Sequence, residues 1–286
     1  AEHLQALAEA ASKFDNAIIL APYDYSFDAQ GNCTNRHYRE RLMRPRHKMR
    51  WITPIHEGCI LGEAQVGTML TTHSDLVRVI HRSRFSNKPR EPERNLRILK
   101  DYVAKVGEQD VRALYYLGLE YGQHGNIGDS LRLLERYVEL SKWDDEQCGA
   151  MLAIAQHYQT IGHHNQALHW AFRAMATKGW AAPYWTLTKS FYSLAMNGVS
   201  PEYNFRRAAH FAQLGLSLKQ DGAAETVLFN DPRARFEIHA YLNVALSRIG
   251  DLDGAIASCE AGLIGLPDHE LLQKNWKLYL QERSKR

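Results

Sequence analysis

The sequence predicts an α+β protein, in which a short mixed α/β segment is followed by an all-α solenoid of helical repeats. Strand-length apolar stretches separated by turn residues predict the first part. A residue pattern that recurs at a fixed spacing beyond residue 110 predicts the second part. We place the mixed segment in residues 1–90, and the repeats with a terminal capping helix in residues 91–286.

The composition sets broad limits. A chain of 286 residues is long enough for one large domain or two smaller ones. Its 45% hydrophobic and 23% charged residues are typical of a soluble globular protein, and a net charge of +3 is too small to indicate nucleic-acid binding overall. No apolar stretch reaches about 18 residues, so we expect no membrane span. The four scattered cysteines form no CxxC pair, which is compatible with a reducing cytoplasm, the location we expect.

The first ninety residues carry the patterns of one helix and several strands. Apolar residues at helical spacing within residues 2–13 predict a short amphipathic helix. The strand-like stretches are residues 17–20, which Pro22 closes, residues 23–28, which alternate aromatic and polar side chains, and residues 65–72 and 75–81. This order predicts part of a sheet domain, because it lacks the repeated units that would complete one.

Cations are concentrated between these predicted strands. Within residues 36–50, Glu40 is accompanied by seven of them: Arg36, Arg39, Arg41, Arg44, Arg46, Lys48 and Arg50. Guanidinium groups bind phosphate oxygens through two parallel hydrogen bonds, so the run suits a phosphate-bearing ligand. One alternative is a solvated surface that pairs with acids elsewhere. Another is nucleic-acid binding, for which Tyr38 and Trp51 offer rings for base stacking.

The basic run leads directly into a short stretch that is rich in reactive side chains. It holds Trp51, Thr53, Pro54, His56 and Glu57. Pro54 has a fixed φ and favours an extended Thr53, so we expect a shaped loop. Functional side chains are common on such loops, whereas the alternative is an ordinary solvated loop.

The remaining two-thirds of the chain contains a repeat. The pattern Leu117-Gly118-x-x-Tyr121-x-x-x-Gly125 aligns with Ile154-Ala155-x-x-Tyr158-x-x-x-Gly162, an offset of thirty-seven residues that is typical of a tetratricopeptide-like unit with a slightly long linker. A third copy begins near Tyr184 and is interrupted around residues 197–201. A fourth copy keeps the register at Leu242, Gly250, Ala255, Cys259, Gly262 and Pro267. Residues 270–283 predict an amphipathic helix that caps the array.

Five short motifs precede the repeats. They are Tyr23-x-Tyr25-x-x-Asp28, Arg39-x-Arg41-Leu42-x-Arg44, Trp51-x-x-Pro54-x-His56-Glu57, Val77-x-Val79-Ile80-His81 and Arg94-Asn95-Leu96-x-Ile98-Leu99. Their order, followed by the repeats, resembles that of family-2-like glycosyltransferases with a C-terminal tetratricopeptide array. The resemblance implies a GT-A fold, a nucleotide-sugar donor, and a divalent cation, Mn²⁺ or Mg²⁺, that bridges the donor diphosphate.

The resemblance also implies roles for individual residues. Glu57 is the candidate general base that deprotonates the acceptor hydroxyl. His81 is the candidate metal ligand, and His56 competes with it for that role. The residues that would contact the donor diphosphate or the acceptor are Arg41, Arg44, Arg50 and Trp51.

The chain departs from that family at its beginning. The family needs an upstream nucleotide-binding half with an Asp-x-Asp, and none precedes residue 15. Asp251-x-Asp253 falls in the turn of the fourth repeat, where it fits a helix N-cap. We therefore expect a fragment of a metal-dependent glycosyltransferase, which transfers a sugar from a nucleotide sugar to an acceptor hydroxyl. The alternatives are a non-catalytic tetratricopeptide module that binds a protein partner or forms a homodimer, and a nucleic-acid adaptor that uses residues 36–50.

Overall fold

The protein consists of a small sheet-containing unit and a larger helical unit. The structure is a computed structural model, and it describes the chain outside residues 1–4, 7, 10–11, 13–16, 28–30, 32, 44–48, 56–57, 62–67, 72–77, 81–90, 219–233 and 286. The two compact units are residues 1–113 and residues 114–286. The division at residue 90 stays a prediction. Most of the described backbone is helical, in agreement with the all-α part of the predicted fold.

The first unit is built around one long strand. Its strands are β1 (Ala17–Phe27), β2 (Cys33–Met43), β3 (Met49–Ile52), β4 (Gly58–Leu61), β5 (Thr68–Thr71) and β6 (Val79–Ile80). β1 is antiparallel to β2, while β5 and β6 pair with successive parts of β1 in parallel. β3 and β4 form a separate antiparallel pair. The two late strands are confirmed, and the helical residues within 5–12 agree with the predicted first helix.

Two local predictions in this unit are wrong. Pro22 does not close the strand, because β1 continues through it and Pro22 pairs with Tyr38 of β2. The fixed φ of proline lies within the extended range, so the ring fits this register. Thr53 is not extended: its φ is 60°, in the left-handed region, where the chain turns between β3 and β4. The turn therefore overrides the preference that Pro54 imposes on its predecessor.

A buried ion pair lies at the centre of this sheet. The Asp24 carboxylate is 1% exposed and accepts a hydrogen bond from Arg36 Nε at 2.5 Å, with Arg78 at 3.5 Å. Burial by itself would raise the pKa of Asp24, but the hydrogen bond and charge of Arg36 outweigh it, so the pKa lies below its usual value. Arg36, the first cation of the basic run, therefore has a structural role: it pairs with Asp24 within the sheet.

The helices that follow form antiparallel pairs. They are α1 (Arg94–Val106), α2 (Val111–Gln123), α3 (Ile127–Leu140), α4 (Asp144–Thr160), α5 (His164–Thr177), α6 (Ala181–Met196), α7 (Pro201–Ser217), α8 (Ala234–Glu237), α9 (His239–Arg248), α10 (Leu252–Gly265) and α11 (Glu270–Arg283). The hairpins are α2–α3, α4–α5, α6–α7 and α9–α10. A single turn of 3-10 helix, Gly107–Gln109, follows α1.

Each hairpin turns at a glycine in the left-handed conformation. The turn glycines are Gly125, Gly162, Gly198 and Gly250, with φ between 78° and 88°. In the first two hairpins, the amide of the next residue donates to the carbonyl of Tyr121 or Tyr158, which closes the end of the first helix. The register that predicted four copies is confirmed. The third copy is not interrupted, because residues 197–200 form its turn and Pro201 begins α7.

An N-cap, a close approach of two helices and a stacked ring pair stabilise the repeats. The Asp251 carboxylate accepts from the Gly254 amide at 2.8 Å, which confirms the N-cap. A Cβ added to Gly118 would lie 2.8 Å from Leu134 Cγ, so α2 and α3 approach closely at that point. The core of the middle repeats contains stacked rings: Phe191 and Phe211 have centroids 5.5 Å apart.

The last helix covers the end of the array. Leu272, Asn275 and Tyr279 are its buried residues, and the amide of Asn275 donates to Asn243 Oδ1 of α9 at 2.8 Å. The predicted cap is confirmed in its bounds. Within the part of the chain that the structure describes, no helix is both long and apolar enough to span a membrane.

Candidate functional site

The predicted catalytic residues fall mostly outside the described residues. Trp51 is the one whose side chain can be placed: it lies in β3 opposite Cys59 and is 57% exposed. The backbones of Arg41 and Arg50 belong to β2 and β3. The positions outside the described residues are Arg44, His56, Glu57 and His81. The roles assigned to these residues therefore stay predictions.

A metal centre has no counterpart in the described part of the chain. Among those residues, no group of three or more His, Cys, Asp or Glu side chains could hold a metal ion. Because His56 and His81 lie outside them, binding of Mn²⁺ or Mg²⁺ by these two histidines stays a prediction.

A serine–histidine contact in the helical unit is structural. Ser130 Oγ lies 2.8 Å from His157 Nε2, a distance that a nucleophile and its base would share. The Ser130 hydroxyl, however, donates to the Gly118 carbonyl at 2.6 Å and is fully buried. A hydroxyl that is committed to a helix carbonyl is not available for attack. The pair instead links the first two repeats.

The most distinctive surface of the helical unit lies on the first helices of the hairpins. α4 contacts α6, and α6 contacts α9, so these helices form a continuous surface that we call the first-helix face. Gln159 of α4 joins two of them, because its amide donates to the Thr186 carbonyl at 2.9 Å and to Ser190 Oγ at 2.7 Å. Repeat arrays present extended surfaces of this kind for binding.

Two tyrosines and two cations form a cluster where α6 meets α9. The Tyr192 and Tyr241 rings pack edge to face, with centroids 5.2 Å apart. Lys189 Nζ lies 5.7 Å from the Tyr241 ring centroid, within the range of a cation–π interaction. Arg248 lies about two helical turns beyond Tyr241 on α9 and is exposed. We call Lys189, Tyr192, Tyr241 and Arg248 the tyrosine–cation cluster.

The electrostatics of the tyrosine–cation cluster favour an anionic ligand. Burial raises the pKa of Tyr192, which the Arg248 charge partly offsets, and burial with the Glu237 charge raises the pKa of Tyr241. Both hydroxyls therefore stay protonated at neutral pH and can donate hydrogen bonds. Within the described residues, neither Lys189 nor Arg248 forms a salt bridge. The cluster thus offers two positive charges beside two hydroxyl donors and two half-buried rings.

Sequence reasoning did not identify this cluster. Its members sit on α6 at Lys189 and Tyr192, and on α9 at Tyr241 and Arg248, at helical spacings of three and seven. A comparison of the first helices, position by position across the four repeats, would have shown both pairs on one face. The contact between the pairs could not be anticipated, because it depends on how α6 packs against α9.

Comparisons with known proteins agree with the helical repeat. No family model matches the chain, and no curated protein matches it. A solved structure of a MamA RS-1 double mutant is 16% identical, with 63% of this chain and 87% of that chain covered and a TM-score of 0.47. TTC0263, a thermophilic tetratricopeptide protein of Thermus thermophilus, is 18% identical, with 65% and 89% covered and a TM-score of 0.42. YrrB, a tetratricopeptide protein with an unusual peptide-binding site, is 14% identical, with 65% and 84% covered and a TM-score of 0.45.

The glycosyltransferase prediction is wrong. The solved structures that resemble the chain include the tetratricopeptide proteins TTC0263 and YrrB, which agree with the predicted helical array and give the glycosyltransferase prediction no support. The GT-A fold and the metal dependence of the enzyme were implied by the same resemblance, so they lose their basis with it. In the described strands, β1 is followed by antiparallel β2 and by the β3–β4 pair, with no βαβ crossover between them. The five motifs were short, and short polar motifs recur in unrelated folds.

Proposed function

We propose that the helical unit is a protein-interaction module, and that its first-helix face binds an acidic, aromatic-containing segment of a partner protein. The observation that carries the proposal is the tyrosine–cation cluster. Two cations without salt bridges among the described residues attract carboxylates, while the edges of Tyr192 and Tyr241 offer apolar contact beside them. An extended segment has no internal hydrogen bonds to lose, because water satisfies its backbone groups. It can therefore lie across α6 and α9 without first unfolding.

The location that we propose is the reducing cytoplasm. Cys259 is a buried free thiol, and burial raises its pKa to about 12. A neutral thiol inside the helical core needs no oxidising compartment.

The proposal is tested with a fluorescein-labelled peptide of alternating glutamate and tyrosine, followed by fluorescence anisotropy. We expect the full chain to bind it, and the double substitution Lys189→Gln/Arg248→Gln to weaken binding about tenfold, since each exposed ion pair contributes up to about 1 kcal/mol. The control is Lys274→Gln/Lys277→Gln on α11, which removes the same charge from an exposed surface elsewhere.

The outcomes are distinct. Equal weakening by both double substitutions would mean that binding follows net charge, and would remove the cluster from the interaction. A homodimer is the competing use of the same face. Sedimentation of a stable dimer that Lys189→Gln/Arg248→Gln dissociates would assign the face to a second copy of the chain.

A further inference from the structure

The second helices of the two middle hairpins each carry more cations than acids. α5 contains no acidic residue, and the one acid of α7, Glu202, is paired with Arg206 at 2.8 Å. Exposed residues of these helices include Arg173 and Arg207. We call the exposed side of α5 and α7 the second-helix face.

The two helices contact each other through aromatic side chains. The rings of Phe172 in α5 and Phe211 in α7 meet edge to face with centroids 5.7 Å apart. Arg173 follows Phe172 directly, and Arg207 precedes Phe211 by about one turn. The two arginines therefore flank this aromatic contact, and a partner segment that crosses it can reach both.

Both arginines are held against aromatic rings. Arg173 Cζ lies 4.3 Å from the Trp170 ring centroid, and Arg207 Cζ lies 4.9 Å from the Tyr203 ring centroid. A guanidinium in contact with a ring is partly fixed in orientation, and its N–H donors point outward in its own plane. Neither guanidinium has a carboxylate partner among the residues that the structure describes. Their donors are thus positioned for an external anion.

The flanking repeats do not share this property. On α3, Arg132 pairs with Asp129 at 3.1 Å and Arg136 pairs with Glu139 at 2.9 Å. α10 carries acidic residues and no lysine or arginine. Among the second helices of the four hairpins, the arginines without carboxylate partners in the described chain therefore lie on the two middle ones, α5 and α7.

We propose that the second-helix face binds an acidic segment of a protein partner, with carboxylates paired to Arg173 and Arg207. Arginine forks match carboxylates through two parallel hydrogen bonds, so two such residues select for closely spaced glutamates or aspartates. A protein is favoured over a nucleic acid, because one face of the Trp170 ring and one face of the Tyr203 ring are occupied by the arginines, which leaves less ring surface for base stacking. This face is on different helices from the tyrosine–cation cluster, so the module can hold two partners at once.

The probe is a labelled peptide of alternating glutamate and alanine, which lacks the aromatic residues that the first-helix face would require. Anisotropy titrations use the full chain and three double variants. We expect Arg173→Gln/Arg207→Gln to weaken binding about tenfold, and Arg173→Lys/Arg207→Lys to weaken it about threefold, because lysine keeps the charge but loses the fork. Lys189→Gln/Arg248→Gln should change it less than about twofold, because exposed charges contribute little at a distance. Circular dichroism melting curves verify that each variant is folded.

Several results would overturn the proposal. The first is an absence of binding by the wild-type chain. The second is weakening by Lys189→Gln/Arg248→Gln alone, which would place the acidic peptide on the first-helix face and leave the proposed function intact. The third is tighter binding of a labelled oligothymidine that is lost in Arg173→Gln/Arg207→Gln, which would assign the face to nucleic acid.

Discussion

The hydroxyl of Tyr137 provides a sensitive test of how the first two hairpins are held together. Tyr137 is 2% exposed, and its hydroxyl donates to Glu146 Oε2 at 2.9 Å while accepting from the Ser141 hydroxyl at 3.0 Å. The Glu146 carboxylate is itself 1% exposed, and Tyr116 also contacts it at 3.3 Å. Tyr137→Phe removes one donor from a buried carboxylate without changing the packing of the ring.

The expected cost follows from this geometry. A hydrogen bond to a charged group contributes about 1.5–3 kcal/mol, more than one between neutral groups, because a buried charge depends on its donors. We therefore expect Tyr137→Phe to lower the free energy of unfolding by about 2 kcal/mol. In a unit of this size, that loss lowers Tm by about 4–8 °C.

The measurement is urea unfolding followed by circular dichroism, with a thermal melt beside it. Tyr121→Phe is the matched control, because Tyr121 is half-buried in α2 and its hydroxyl makes no hydrogen bond to the described residues. The control should change the free energy of unfolding by less than about 0.5 kcal/mol. Equal effects of the two substitutions would show that the Tyr137–Glu146 hydrogen bond does not stabilise the fold.

Two further predictions concern pH and backbone conformation. Burial lowers the pKa of His157 and of His239, so both are neutral in the folded chain, whereas the unfolded value is about 6.5. The free energy of unfolding should therefore be highest above about pH 6.5 and should decline as the pH falls below that value toward the lowered pKa. The test compares the urea midpoint at about pH 5 with that at about pH 7.5, and His157→Gln should reduce the difference. Gly125→Ala places a side chain at φ 78° and should cost about 1 kcal/mol, while Gly128→Ala, within α3 and with open space around it, should stabilise by up to about 1 kcal/mol. Opposite signs in chemical denaturation would support the turn assignment, and equal signs would refute it.

The sequence alone was sufficient for the helical array. Gly125 and Gly162 recur because a left-handed residue at the hairpin turn favours glycine, and this requirement is local. Asp251 was identified as an N-cap for the same reason, since the bond it makes spans three residues. Helical spacing of apolar residues likewise gave the bounds of the last helix. Each of these signals is contained within a few turns of chain.

Tertiary structure decided the first unit and the candidate binding surfaces. Nothing near Asp24 in the sequence indicates that Arg36 and Arg78 enclose it, because the pairing of β1 with β2 brings the first of them there. The contact of Lys189 with Tyr241 likewise joins residues far apart in the chain. Such contacts depend on strand register and on the angle at which helices pack, and many sequences with the same local pattern would pack differently. Turns and caps could therefore be predicted from the sequence, whereas the surfaces proposed to bind partners were determined by packing.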